Sequence, residues 1–174
     1  MDRLDKKILI EMALYILEIT GGVDIYHLCK VLYFGQRRHL ATYGIPLVAD
    51  DFHALPYGPV PTNLYDFFKK GDHDFQNVIK KGSQDAQCIL FGKRNADRNY
   101  LSEADRETLD EVIKEYASLP FEVLKQKSHD QYWKRASEGN SKVMPLIDIA
   151  RSAKASEGMI EYLEEHMAVE LALS

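Results

Sequence analysis

The chain has 174 residues, of which 45% are hydrophobic, and a formal net charge of −5 at pH 7. This size supports one sizeable core, and we expect one domain over residues 1–174. The negative charge argues against a general nucleic-acid or anionic-membrane binder, whose affinity comes mostly from clustered lysine and arginine. The charged amino terminus and the lack of any run of ~20 apolar residues predict a cytoplasmic protein without a membrane partner.

The first part of the chain predicts two long helices that end at glycines. Apolar residues recur at helical spacing over residues 4–19 and stop at Gly21-Gly22, which supplies a left-handed helix end. Asp24 can then cap a second, longer helix that ends at Gly44. The inward stripe of this second helix holds Leu28, Leu32, Gly35 and His39.

Residues 55–61 (LPYGPVP) contain three prolines and one glycine in seven residues, which fixes the backbone without offering a catalytic group. Two interpretations stay open. The segment is a rigid surface presented to a partner, or it is a stiff strand-to-helix connection with Pro61 in the first turn of the next helix. Residues 48–55 before it predict an edge strand, and Gly71 ends the short helix after it.

Residues 71–85 have no periodicity and predict an exposed connection. Residues 87–91 predict a strand that pairs with residues 48–55. A capping-box-like start at Ser102 predicts a further long helix, and apolar periodicity predicts helices in most of the chain beyond Pro120. The expected fold is mostly α, a single-domain helical bundle with a small antiparallel β element.

The sequence offers little chemistry. It contains no glycine-rich phosphate loop, no nucleophile elbow and no His-x-x-x-His pair, and Cys29 and Cys88 are far apart. We therefore expect a protein that is not an enzyme, with no catalytic residue, no metal site and no cofactor. An alternative metal-dependent hydrolase would need several of its histidines to converge with carboxylates, the candidates being His39, His53, His73 and His129. A second alternative is a DNA-binding regulator that uses Arg37 and Arg38 in a helix-turn-helix-like region.

Four segments of the sequence, read in order, resemble the Panacea domain, a family that includes SocA-like antitoxins. They are residues 30–36 (KVLYFGQ), 39–44 (HLATYG), 57–61 (YGPVP) and 128–133 (SHDQYW). The resemblance runs from about Gly22 to the region of Leu146 and leaves little of the chain outside it.

This resemblance implies a bacterial or phage antitoxin that neutralises a cognate toxin by direct protein–protein binding. Some relatives instead act as adaptors that deliver the toxin to a AAA+ protease such as ClpXP. The family signature falls on Tyr33, His39, Tyr57, Gly58, Pro59 and Val60, and together with Arg37 these are the expected partner-binding residues. The resemblance leaves open whether they bind the partner or hold the fold.

Overall fold

A computed structural model describes residues 1–82 and 88–173 of the chain. Its helices are α1 (Arg3–Thr20), α2 (Ile25–Tyr43), α3 (Thr62–Lys70), α4 (His73–Val78), α5 (Glu103–Tyr116), α6 (Phe121–Ser128), α7 (Gln131–Glu138), α8 (Leu146–Ser152) and α9 (Glu157–Leu173). Its strands are β1 (Val23–Asp24), β2 (Phe52–Leu55), β3 (Gly58–Pro61), β4 (Ile79–Lys81) and β5 (Ile89–Gly92). The prediction of a mostly α fold with a small antiparallel β element is confirmed.

The helix ends follow the local signals in the sequence. Gly21 and Gly44 adopt left-handed backbone angles, with φ of 74° and 68°, and end α1 and α2. The carboxylate of Asp24 accepts a hydrogen bond from a backbone N–H in the first turn of α2. Ser102 and Asp105 form a complete capping box at the start of α5. These ends were predictable because each depends on residues within one helical turn.

Helix α2 lies at the centre of the molecule and packs against α1, α5 and α8. The buried apolar residues of all four helices belong to one cluster, which also includes Ile160 and Leu163 of α9. The apolar stripe of α1 is buried only in its middle, because Leu4 and Ile19 at its two ends are exposed. The core therefore surrounds α2.

The strand pairing differs from the prediction. Strands β2 and β3 pair with each other in an antiparallel hairpin, whereas β5 lies between β1 and β4. The expectation that residues 87–91 pair with residues 48–55 was wrong, and residue 87 lies outside the described residues. The short turn at Pro56-Tyr57 brings β3 beside β2. This pairing is favoured because closing a short loop costs less entropy than closing a long one.

Residues 71–85 are more ordered than predicted. Asp72 accepts a hydrogen bond from the backbone N–H of Phe75 and so caps α4, after which Ile79 begins β4. Residues 73–81 form α4 and β4 where an irregular connection was expected; most of them are exposed, as predicted, whereas Phe75 and Ile79 are buried in the core. Two apolar residues in a polar context were enough to anchor this segment. Residues 83–85 lie outside the described residues.

The base of the β2–β3 hairpin is fastened by a buried carboxylate. Pro61, the residue before α3, provides no side-chain cap. Asp50 replaces that cap, because its two oxygens accept hydrogen bonds from the backbone N–H groups of Asn63 (3.0 Å) and Leu64 (3.2 Å). The N–H of Thr62 donates to the carbonyl of Asp51 at 2.9 Å. These hydrogen bonds hold both ends of the hairpin, independently of the contacts at its turn.

Candidate functional site

Exposed and half-buried apolar side chains surround a groove of about 430 Å³. The groove lies between the first turn of α2, the β2–β3 hairpin and the first turn of α6. We call it the aromatic groove and define it by its lining residues, which are Ile25, Tyr26, Cys29, Leu55, Pro56, Tyr57, Val60, Tyr65 and Phe121.

Three aromatic rings form the open edge of the groove. The ring centroid of Phe121 lies 4.4 Å from that of Tyr26 and 5.6 Å from that of Tyr57, the second pair in an edge-to-face arrangement. Tyr57 is 60% exposed and Phe121 is 36% exposed. The ammonium of Lys125 lies 5.8 Å from the centroid of the Tyr57 ring. The rings therefore support one another while leaving apolar surface open to a partner.

The hairpin keeps its shape because three side chains from the helices donate to alternate backbone carbonyls. The hydrogen bonds run from Trp133 Nε1 to the Leu55 carbonyl (3.1 Å), from Tyr26 Oη to the Tyr57 carbonyl (3.2 Å) and from Lys30 Nζ to the Pro59 carbonyl (2.7 Å). Leu55 ends β2, Tyr57 lies in the turn and Pro59 lies in β3, so α2 and α7 together hold both strands and the turn of the hairpin.

Lys30 is the least expected of the three donors because its side chain is completely buried. Its ammonium lies 4.7 Å from the centroid of the Tyr26 ring, on which the groove is built. Among the described residues no carboxylate lies within ion-pair distance of it. Burial lowers the pKa of Lys30 to about 8, because the charged form loses its hydration. The carbonyl of Pro59 and the face of the ring partly replace that hydration.

Gly58 fits directly over this lysine. Its φ is +103°, and a Cβ atom placed there would lie 2.5 Å from Ser128 Oγ and 2.9 Å from Lys30 Cε. Both the backbone angle and the space therefore require glycine at this position. Packing explains the Tyr-Gly-Pro sequence at the turn. Tyr57 lines the groove, Gly58 lies over Lys30, and the carbonyl of Pro59 accepts the hydrogen bond from Lys30.

The predicted partner-binding residues fall into two groups. Tyr33, His39, Gly58 and Pro59 are buried, Arg37 and Val60 are half-buried, and Tyr57 is exposed. The structure brings Tyr57 and Val60 together in the lining of the aromatic groove, with Gly58 and Pro59 as buried parts of the same hairpin. Tyr33, Arg37 and His39 lie further along α2, in the body of the protein.

The residues of this second group link α2 to its neighbours. Arg37 donates to the carbonyl of Ser152 at the end of α8. His39 Nδ1 donates to the carbonyl of Ile45, at 2.9 Å, in the loop that follows α2. Burial raises the pKa of Tyr33 to about 12. In this conformation Tyr33 and His39 are buried within the fold, and Arg37 is half-buried against the end of α8.

The arginine pair behind the DNA-binding alternative is engaged within the protein. Arg38 forms ion pairs with Glu111 and Glu115 of α5, at 3.2 and 2.5 Å. Arg37 bonds the end of α8, as described above. These contacts neutralise or bury the two guanidinium groups, so nothing at this pair favours phosphate binding.

The histidines behind the metal-site alternative are placed in different environments. His39 is buried in the core, the side chain of His73 is 85% exposed, and His129 stacks on Trp133 with centroids 3.6 Å apart. Within residues 1–82 and 88–173, no three or more His, Cys, Asp or Glu side chains are grouped so as to hold a metal ion. Over the same residues, no helix has both the length and the apolar character needed to cross a membrane.

Sequence reasoning missed most of the groove. Tyr26 and Phe121 were not expected to meet, because they lie on helices that are far apart in the chain. Lys30 was missed as well, because its burial depends on the hairpin that lies over it.

The sequence pattern of a known family covers this site. The family described as "Antitoxin SocA-like, Panacea domain" matches residues 28–134, more than half of the chain. The chain belongs to this family. Membership supports an antitoxin role, which implies a cognate toxin as partner. Comparisons with curated proteins and with solved structures give no match.

The match places the hairpin and two of its three supports in the Panacea domain, since Tyr26 precedes the first matched residue. It begins in α2 and ends in α7, and so includes Lys30, the hairpin, Phe121 and Trp133. Helices α1, α8 and α9 lie outside the matched residues, although all three contribute to the same core as α2.

We predict that Gly58→Ala lowers the free energy of unfolding by about 3 kcal/mol, because it combines backbone strain with a collision against Lys30 and Ser128. Gly21→Ala is the matched control, since Gly21 also has a positive φ but no atom within 4 Å of the added Cβ. It should cost about 1 kcal/mol. Urea unfolding measures both, and equal losses would contradict the packing role of Gly58.

We also predict that stability rises with pH through the titration of Lys30. In the unfolded chain Lys30 has its ordinary pKa of 10.5 and stays protonated up to that pH. In the folded chain its pKa is about 8, so the ammonium loses its proton above that pH. The unfolded state binds more protons in this window, so the free energy of unfolding increases by about 3 kcal/mol across it. Urea unfolding from pH 8 to 10 should show this as a gain in stability of the wild type relative to Lys30→Met, because Cys29 and the buried tyrosines, whose pKa values burial raises, oppose the rise equally in both proteins.

Lys30→Met should flatten this rise, because the buried titrating group is gone. Lys114→Met, at an exposed lysine of α5, is the control and should keep the wild-type slope. Equal pH slopes for the wild type and Lys30→Met from pH 8 to 10 would contradict the lowered pKa of the buried Lys30.

Proposed function

We propose that this Panacea-domain protein is an antitoxin that neutralises its cognate toxin by binding it directly, and that the aromatic groove is the centre of the contact surface. The observation that carries the proposal is the pair of exposed rings, Tyr57 and Phe121, on a face whose backbone is fixed from below. Large aromatic side chains in a preformed pocket are the residues that most often dominate the energy of protein–protein contacts.

The rigidity of the hairpin supports this assignment. Three hydrogen bonds from Tyr26, Lys30 and Trp133 hold the hairpin in one conformation. A surface that is already ordered loses little conformational entropy when a partner binds, so more of the contact energy appears as affinity. The apolar lining fits an apolar side chain or segment of the toxin.

Among the predicted partner-binding residues, we assign direct contact to Tyr57 and Val60, which line the groove. Gly58 and Pro59 shape the hairpin beneath it. We assign Tyr33, Arg37 and His39 to the support of α2, because they bond or pack within the body. The binding chemistry of this surface requires no catalytic residue.

We predict that the double variant Tyr57→Ala/Phe121→Ala fails to rescue growth when it is co-expressed with the growth-arresting product of the neighbouring gene. Its affinity for that toxin should fall at least about thirtyfold, because two aromatic anchors are lost. Ile19→Ala, which removes an exposed apolar side chain of α1, is the control and should rescue fully. Wild-type rescue by the double variant, with an unchanged melting temperature, would contradict the proposal.

The same assay separates masking from delivery to a AAA+ protease such as ClpXP. Direct masking predicts that rescue persists in a host that lacks the protease and that the toxin level stays constant. An adaptor would instead need the protease, and the toxin level would fall only when it is present. We expect the first result, since the groove offers a binding surface that is complete in itself.

A further inference from the structure

The exposed large apolar residues gather in a second place, distinct from the aromatic groove. Two of them follow each other closely at the end of α2 and three lie on α9: Tyr43, Ile45, Tyr162, Met167 and Val169. Exposure reaches 56% at Val169 and 48% at Tyr162. Scattered apolar residues need no explanation, but a contiguous set indicates an interaction site.

These residues form one strip because α9 packs on the backbone where α2 ends. A Cβ atom at Gly44 would lie 2.7 Å from both Met159 Sδ and Tyr162 Cδ1. Tyr162 therefore lies beside the exposed neighbours of Gly44 in the chain. Its ring stacks parallel to that of His166, and Val169 follows on the same face one turn later. We call Tyr43, Ile45, Tyr162, His166 and Val169 the α9 strip.

The outer part of α9 lacks cover from the body. Ile160 and Leu163 are buried, whereas every residue from 164 to 169 is exposed. A helix gains most of its stability from packing its apolar face rather than from its own hydrogen bonds. An apolar strip that continues beyond the last buried turn is therefore suited to a partner.

The charge of α9 indicates which partner fits. The helix sequence contains five glutamates, Glu157, Glu161, Glu164, Glu165 and Glu170, and neither lysine nor arginine. One contact moderates this charge, between Arg151 and Glu164 at 3.7 Å. Two copies of this helix would repel each other, as would a nucleic acid or an anionic membrane. The complementary occupant is a protein surface that is apolar at its centre and rimmed by lysine and arginine.

We propose that the α9 strip is a second docking surface of this antitoxin, for a basic-rimmed apolar patch of the cognate toxin; this rests on the proposed function. The strip supplies apolar contact, and the flanking glutamates supply attraction and orientation. Its α9 residues lie outside residues 28–134, whereas Tyr43 and Ile45 lie inside them, so the toxin contacts the aromatic groove and a second face that the acidic helix α9 completes.

The test uses the full chain and the purified toxin encoded by the neighbouring gene. Val169→Asp and the double variant Glu161→Lys/Glu165→Lys change the strip and its rim without touching the core. Each should weaken binding at least about tenfold, and the wild-type affinity should fall with salt more steeply than that of the charge-reversed variant. Glu107→Lys/Glu138→Lys, at exposed positions elsewhere, makes the same change of net charge and should leave the affinity within about twofold.

Each outcome decides between the two proposals. A toxin that binds the wild type, loses affinity for the groove variant and binds the α9 variants normally overturns this inference alone. A wild-type chain that does not bind the toxin overturns the proposed function and this inference together. A wild type that is dimeric by light scattering, with a monomeric Val169→Asp variant, assigns the strip to self-association and also overturns the inference.

Discussion

A buried ammonium group holds the β2–β3 hairpin of this protein to its body. Lys30 reaches from the central helix to the Pro59 carbonyl, and the hairpin turn passes over it at Gly58. Without a carboxylate beside it among the described residues, the charge has only a carbonyl and an aromatic ring for solvation. Burying a charge in this way is unfavourable by itself. The surrounding core offsets that cost, and the lysine in return fixes one register for a strand that contains two prolines.

Local signals in the sequence were sufficient for the helices and insufficient for the strands. Asp24, Ser102 and the glycines that end α1 and α2 act within a single turn, so each boundary is visible in a few residues. Strand pairing depends on which distant segments the helices bring together. The partners of β5 are β1, at the entry to α2, and β4, and no pattern in these segments indicates either pairing.

The proline segment shows how much of the site a sequence pattern can predict. Both interpretations left open for residues 55–61 contain part of the result. Pro61 does lead into the next helix, and Tyr57 is presented to solvent. What the pattern could not provide is the other wall of the groove, because Tyr26 and Phe121 reach it only through the packing of α2 and α6. The signature residue His39 also illustrates that a family pattern mixes residues of the surface with residues of the core.

The origin of the groove walls has a consequence for the synthesis of the protein. The walls of the groove come from the start of α2, from the hairpin and from α6. One of the hydrogen bonds that hold the hairpin comes from Trp133. A ribosome must translate beyond that tryptophan before the nascent polypeptide can assemble the face. Shorter products of interrupted translation would carry the Tyr-Gly-Pro turn without the support of Trp133, and the groove would lack its ordered hairpin wall.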